Sequence, residues 1–310
     1  METNNDYDLV IIGNYTKDTI VTNSGTRNSD GSGFLYSAYA AALTGVKVAA
    51  LTRLAKEDEY IVEDFRKIGV KVLPTFTKKS TEMKIVYPTS NVDERTVSVE
   101  QNAGSYSADQ LKQLSTMNAK AFLINAMMRG EVGLEVIQEI KKKNALLALD
   151  VQGFIRVATD DGSLKNETWT DNHSVLSQID IIKTDAVEAE ILTGEKDIRK
   201  AILKIAESGP KEIVLTHRDG VLVFAYDRFY EAGFFPKQLT GRTGRGDTCI
   251  GSYIAKRLVA PVEEAVIWAA AATSLKMEYE GPVQCAVHEI EKLIHTKYRN
   301  FRNQKTHNFN

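Results

Sequence analysis

The sequence predicts an α/β protein built on a doubly wound, mostly parallel sheet. Three observations carry this. Short runs of apolar, β-favouring residues recur along the 310-residue chain. Each is separated from the next by a stretch whose apolar positions have helical spacing, the pattern of parallel strands joined by crossover helices on both faces of a sheet. Two polar segments, residues 13–33 and 80–102, break this rhythm and carry short β-like patches that read as a small inserted sheet.

Leu9-Val10-Ile11-Ile12 holds no polar residue and reads as a buried strand. Residues 34–44 read as a helix, 46–51 as a strand, 58–68 as a helix and 70–73 as a strand. Residues 121–125, 145–150, 179–183 and 212–216 are further strands, spaced by helical segments such as 131–143 and 196–208. In the first interruption Thr19-Ile20-Val21 is β-like. In the second, Met83-Lys84-Ile85-Val86-Tyr87 and Thr96-Val97-Ser98-Val99 flank the turn-like Ser90-Asn91-Val92-Asp93. Residues 301–310 are polar and read as a frayed tail.

At 43% hydrophobic residues the chain can bury a substantial core, as one large domain with an embellishment or as two small ones. A net charge of −2 with scattered basic residues gives no reason to expect nucleic acid. The alanine-rich runs at 38–43 and 268–273 are too short to span a membrane. The acidic N-terminus, with Asp6 and Asp8, does not read as a signal peptide. Two cysteines, Cys249 and Cys285, suggest neither a disulfide framework nor a zinc site, so the expected compartment is the reducing cytoplasm.

The chemistry concentrates in Gly241-Arg242-Thr243-Gly244-Arg245-Gly246-Asp247, just ahead of Ile250, Tyr253, Ile254 and Leu258 at helical spacing. A glycine-rich turn that opens a helix aims backbone N–H groups at one point, with the positive end of the helix dipole behind them. That attracts phosphate, whereas an acid there repels it. Asp247 makes sense if it works on an attacking hydroxyl while the N–H groups of Gly244, Arg245 and Gly246 hold the transferred phosphoryl group. No Gly-x-Gly-x-x-Gly follows the first strand, which disfavours a dinucleotide-binding dehydrogenase.

This segment resembles the second signature of the ribokinase family of sugar kinases (the PfkB group), roughly Asp-Thr-x-Gly-Ala-Gly-Asp. Thr243, Gly244, Gly246 and Asp247 match; Gly241 and Arg245 depart, standing for Asp and Ala. The resemblance extends from Asp8 to about residue 293. It implies a ribokinase-like three-layer α/β/α domain over residues 1–300, with the two interrupting segments forming a lid over the sugar site. It also implies ATP as phosphoryl donor and magnesium. Family lids often pair across a dimer, so a homodimer through the lid is the implied assembly.

Further positions take roles from the same resemblance. Gly31-Ser32, Gly33, Tyr36, Ala38 and Leu43-Thr44-Gly45 resemble the first signature, with Tyr36 in place of a sugar-contacting Asn. Gly31 and Gly33 would let the backbone approach a substrate closely. Asp18 matches an acid that binds sugar hydroxyls. For these the plain alternatives are a loop glycine and a solvated loop acid. Asp185 and Glu188 resemble the Asn-x-x-Glu segment whose Glu organises magnesium indirectly, through water; first-turn acids at a helix start are the alternative. Thr216 and Gly220 lie in a strand–turn–strand that resembles the nucleotide loop, one residue shorter and without its middle Gly. Gly281 ends a segment resembling the one that flanks adenine, or simply ends an apolar helix. Asp150-Val151-Gln152-Gly153-Phe154-Ile155-Arg156 follows a hydrophobic strand, so its polar groups lie at the carboxyl edge of the sheet, where ligands bind. It resembles the inositol kinases of the family. Asp150, Gln152 and Arg156 are therefore placed at the substrate, although a structural salt bridge would also explain Arg156.

The expected function is ATP-dependent phosphorylation of a hydroxyl on a small sugar or cyclic polyol, inositol foremost. A nucleoside kinase on the same fold and a non-catalytic ligand-sensing relative are the alternatives. Retention of Asp247 speaks against the latter, and the changes at Gly241, Arg245 and Asp185 speak for it.

Overall fold

The computed structural model describes residues 5–89, 94–170 and 172–298. The 301–310 tail and the turn at Ser90-Asn91-Val92-Asp93 lie outside the described residues. The chain opens with β1 (Asn5–Ile12), β2 (Thr16–Thr22), β3 (Gly25–Gly31), α1 (Gly33–Ala42), β4 (Val48–Ala55), α2 (Tyr60–Lys67) and β5 (Lys71–Thr77). It continues through β6 (Thr81–Val86), β7 (Thr96–Gln101), α3 (Ala108–Ser115), β8 (Met117–Ile124), α4 (Leu134–Lys141) and β9 (Leu146–Asp150). Next come α5 (Gln152–Ile155), β10 (Arg156–Ala158), β11 (Leu164–Asn166), α6 (Asn172–Leu176), β12 (Ile181–Asp185), α7 (Ala186–Thr193) and α8 (Ile198–Glu207). It ends with β13 (Glu212–Thr216), β14 (Gly220–Ala225), β15 (Arg228–Gly233), α9 (Arg245–Arg257), α10 (Val262–Lys276) and α11 (Val287–Lys297).

Nine strands form one sheet in the order β15-β14-β13-β12-β9-β8-β1-β4-β5. From β13 to β5 the pairs are parallel; β14 and β15 add an antiparallel edge. The period-2 geometry of β1 shows why two helical layers are needed. Leu9 and Ile11 enter the core packed by α1, α2, α9, α10 and α11, while Val10 and Ile12 enter the opposite core with α3, α4, α6 and α8. Both faces of each central strand are thus apolar, the condition that made these strands readable as uninterrupted hydrophobic runs.

The second sheet, β3-β2-β6-β7, is mixed: β2 and β6 run parallel, flanked by antiparallel partners. The alternating burial of β2 and β6 gives it one inner face. β3 is Gly-Thr-Arg-Asn-Ser-Asp-Gly, poor in β-formers, and it exists because its neighbour β2 supplies the ladder. Chain order then places the carboxyl ends of β8, β9, β12 and β13 side by side, with the turn before α9 facing them.

Candidate active site

Gly244 takes a left-handed backbone (φ 77°) at the N-cap of α9. A side chain there would strike the ring of Tyr36, which packs directly on the glycine. The Arg245 N–H turns back to the Arg242 carbonyl at 3.3 Å. The N–H groups of Gly246 and Asp247 have no acceptor earlier in the helix, as at any helix start. A Cβ on Gly246 would sit 2.9 Å from Lys183 Nζ, so the ammonium would have to shift to admit a side chain there. Gly241 is glycine because a side chain would meet the Tyr279 carbonyl.

The Asp247 carboxylate faces a set of buried polar groups from the sheet edge. Asn125, just past β8, donates Nδ2 to Asp247 Oδ1 at 3.1 Å and to Asp150 Oδ2 at 3.3 Å. Ser37 of α1 donates to Asn125 Oδ1 at 3.1 Å and to the Asp247 carbonyl at 2.8 Å. Asp150, at the end of β9, is fully buried and contacts Lys183 Nζ at 3.2 Å. Lys183, in β12, also lies 3.5 Å from Glu188 Oε2. Burial pulls the Lys183 ammonium down, but Asp150, Glu188, Asp185 and Asp247 together raise it above the ordinary lysine value. Burial pushes the Asp247 carboxyl up, Asp150 adds to the rise, and Lys183 and Arg156 oppose it. Burial likewise raises the Glu188 carboxyl against the pull of Lys183.

Gly31 and Gly33 lie where backbone and carboxylates approach closely. A Cβ on Gly31 would collide with the Asp18 carboxylate; one on Gly33 would meet Asn125 Oδ1 and come within 2.8 Å of Asp247 Oδ1. Asp18, in β2, is buried, accepts from Thr16 Oγ1 at 2.8 Å, and is raised to about 6 by burial. Tyr36 is a buried wall beside the turn. Gln152 Oε1 accepts from Arg156 Nη2 at 2.7 Å, and the Gln152 N–H donates to Asp150 Oδ1 at 3.1 Å. Burial lowers the Arg156 guanidinium, with Glu188, Asp150 and Asp247 pulling it back up.

Asp185 and Glu188 form a reciprocal capping box at the start of α7, each carboxylate accepting the other's N–H at 2.8 Å. Thr216 pairs in register with Asp185 and lies near Gly246. Gly220 is glycine because β15 packs against it: a Cβ would strike the Ala232 carbonyl. Gly281 lies elsewhere, in a left-handed turn (φ 77°) lining a cavity of about 290 Å³ with Arg27, Tyr36, Tyr87, Arg242 and Lys276. Asp185, Thr216 and Gly220 do not line that cavity.

Two arginines also border the turn. Arg245 is half-buried and, among the described residues, its guanidinium makes no hydrogen bond or ion pair. Burial lowers it first and Arg242 second, while Asp185 attracts it. Arg95, just ahead of β7 in the small sheet, donates to Thr243 Oγ1 at 3.2 Å.

Asn125, Lys183, Lys276 and Arg95 were not foreseen in the sequence. Signals existed for three of them. Asn125 follows the apolar run 121–124, Lys183 interrupts a buried strand, and Lys276 ends an alanine-rich helix. A lone polar residue inside an apolar run is the mark in each case. Arg95 stands beside a polar turn and carries no such mark.

The fold is that of the ribokinase-like kinases. The chain belongs to the pfkB family of carbohydrate kinases, whose family model matches residues 35–289. Among solved structures, a sulfate complex of a pyrophosphate-dependent kinase in the ribokinase family is 32% identical, with a TM-score of 0.84 over 91% of this chain and 99% of that one. A pyrophosphate-dependent kinase of the same family, complexed with a pyrophosphate analog and myo-inositol, is 31% identical, with a TM-score of 0.83 over 92% of this chain and 99% of its own. Among curated proteins, the cytidine kinase of Thermococcus kodakarensis is 26% identical over 263 residues, 80% of this chain and 87% of its own. No described helix is long and apolar enough to cross a membrane.

Proposed function

We propose that the chain transfers a phosphoryl group to a hydroxyl of a cyclic polyol, with Asp247 as the base. The observation that carries this is the Asp247 carboxylate, held by Asn125 at the mouth of the 244–247 turn. A hydroxyl between Asp247 and the turn loses its proton to the carboxylate as its oxygen bonds to phosphorus and the leaving phosphate departs on the far side. The Gly246 and Asp247 N–H groups and the α9 dipole stabilise the transferred charge. Asp18 and Asp150 supply acceptors for ring hydroxyls, and Gln152 and Arg156 supply donors. Gly31 and Gly33 keep the acceptor pocket open. The small sheet acts as a lid, reaching the turn through Arg95. The likeness to a myo-inositol complex and the Asp150-to-Arg156 segment favour inositol as the acceptor class.

The family resemblance implied ATP as donor. Arg245, unpaired among the described residues and beside Arg242, together with two pyrophosphate-dependent neighbours, favours inorganic pyrophosphate instead. Pyrophosphate is compact and highly charged, and guanidinium groups suit it. Asp185, Thr216 and Lys183 then border the leaving phosphate rather than a nucleoside. No described cluster of three acidic, histidine or cysteine side chains could hold a metal directly. Glu188, raised by burial and tied to Lys183, fits an indirect role through water, so a bound magnesium would take its oxygen ligands mainly from the donor. When bound, it would neutralise developing phosphate charge.

A nucleoside acceptor is the second reading, carried by the likeness to cytidine kinase. The test is phosphorus NMR of product formation with pyrophosphate or ATP against myo-inositol, ribose, fructose, adenosine and cytidine. Myo-inositol with pyrophosphate is expected to give the highest kcat/KM. A tenfold preference for cytidine or ribose overturns the acceptor; a tenfold preference for ATP overturns the donor. Absence of turnover with every pair supports the ligand-sensing alternative.

A further inference from the structure

We propose that Lys276 is a built-in cation of the phosphoryl site: its ammonium holds the 241–244 turn in shape and sets a fixed positive charge behind it. This rests on the reading of that turn as the phosphoryl-holding element. Lys276 is the last residue of α10 and is fully buried. Its Nζ donates to the Gly241 carbonyl at 2.8 Å. From the same helix end, the Met277 carbonyl accepts from Thr240 and Gly241 N–H at 2.9 and 3.0 Å. Three bonds thus clasp the start of the turn to the end of α10. The loss of a side chain at Gly241 makes the clasp possible, since the Tyr279 carbonyl occupies the place of a Cβ. The ammonium also lies 5.3 Å from the centre of the Tyr36 ring, and that ring packs on Gly244. One charge therefore touches the start of the turn directly and its end through Tyr36.

A lysine in the last turn of a helix complements the dipole and ordinarily keeps its head in water. This one has no exposure, and among the described residues no carboxylate pairs with it. A neutral carbonyl and an aromatic face only partly replace lost hydration. Burial brings its pKa down to about 8, against the attraction of Asp247 and Glu280 and with the repulsion of Arg95. Arg27 and Arg242 face the same cavity. Clasping the Gly241 carbonyl needs only a donor, which a neutral group could supply at less desolvation cost; the full charge is useful where an anion binds. A bound polyphosphate gives the ammonium its missing counter-charge.

The test uses Lys276→Met, which keeps length and removes charge, and Lys276→Ala, which leaves room for a small cation. Turnover is measured with both pyrophosphate and ATP, so a wrong donor shows in the wild type and not in the comparison. Lys276→Met is expected to lower kcat at least ~tenfold with little change in acceptor KM, because the charge acts on the transition state. Wild-type activity should fall above about pH 8 as the ammonium loses its proton, and Lys276→Met should lack that fall. In Lys276→Ala, added ammonium or methylammonium restores activity, while the wild type is indifferent to both. NMR titration of the Lys276 ε-methylene in the wild type needs no variant and no turnover: its midpoint should rise when pyrophosphate is added. A midpoint unmoved by pyrophosphate overturns the proposal. So does a Lys276→Met enzyme with wild-type kcat and pH profile, or a folded Lys276→Ala enzyme that no amine rescues.

Discussion

The Asn125 amide donates to Asp247 Oδ1 at 3.1 Å, and this single bond orients the carboxylate on which transfer depends. With Oδ1 occupied, Oδ2 is the atom left for an incoming hydroxyl. Asp247→Asn removes the proton acceptor and sets two amide groups against each other. It should lower kcat by ~10²–10⁴-fold while Tm and donor binding stay near wild type. Asn125→Ala keeps the base but frees its orientation, so a smaller loss, on the order of tenfold, is expected. Steady-state kinetics with a thermal melt on each variant checks both; near wild-type turnover in Asp247→Asn removes it as the base.

Arg245 tests the donor. It stands at the first position of α9, half-buried and unpaired among the described residues, beside Arg242. Arg245 is itself partly desolvated and feels the repulsion of Arg242, so an anion beside its guanidinium would relieve it. Arg245→Ala should therefore raise the KM for pyrophosphate at least tenfold, ~1.4 kcal/mol, and raise that for ATP less. Competition between the two donors in one assay reads the shift. An unchanged pyrophosphate KM would place the guanidinium in solvent.

The layered architecture was legible because its strands are buried on both faces. Ile213 to Leu215 and Leu9 to Ile12 are apolar whichever way they point, so no register was needed to find them. β3 was illegible for the opposite reason: its residues have little strand propensity, and the ladder to β2 holds them. The short hairpin of β10 and β11 was missed because three-residue strands carry no periodicity. For the candidate site, Asp18, Gly31, Gly33, Asp150 and Asp247 were expected from spacing and resemblance, and the structure brings them close to one another. The groups that tie them together were not found. Asn125 and Lys183 sit 122 and 64 positions from Asp247, and only the sheet order makes them neighbours.

Acidity should limit the reaction from the acceptor side. Asp18 is raised to about 6 by burial, and Asp247 is also raised by burial and by Asp150. Both are useful as carboxylates, the first to accept from a hydroxyl and the second to take a proton. As pH falls through about 6, Asp18 becomes a donor, and acceptor binding weakens. The expected profile is a fall in kcat/KM for the acceptor that sets in below about pH 6, well above the pH at which an unperturbed carboxylate near 4 would cause it. Asp18→Asn should flatten the part of this limb seen in KM and leave the kcat limb of Asp247. A limb unchanged in both parameters would exclude Asp18 from acceptor binding.

Lys183 is expected to hold the site together as much as to serve it. Its ammonium lies between Asp150 and Glu188, all three with at most a few per cent exposure. Its folded pKa is raised, so the stability it contributes is fully present below the unfolded lysine value near 10.4 and is lost as pH rises through the folded one. Across pH 5–9 the wild type keeps this contribution. Lys183→Met leaves two buried carboxylates without their counter-charge, which by analogy with other broken buried pairs costs ~3–5 kcal/mol at neutral pH. The carboxyls of the variant respond by binding protons more tightly than in the unfolded chain. Folded protein then binds more protons than unfolded, so the stability of the variant rises as pH falls. Urea unfolding at pH 8 and pH 5.5 should show a large deficit at the higher pH and a smaller one at the lower. The same variant should lose turnover, since Lys183 Nζ abuts Gly246 and a repelled donor would meet Asp150 and Glu188 unscreened. A deficit that does not change with pH would mean that lost packing, and not the buried charge, is what Lys183→Met removes.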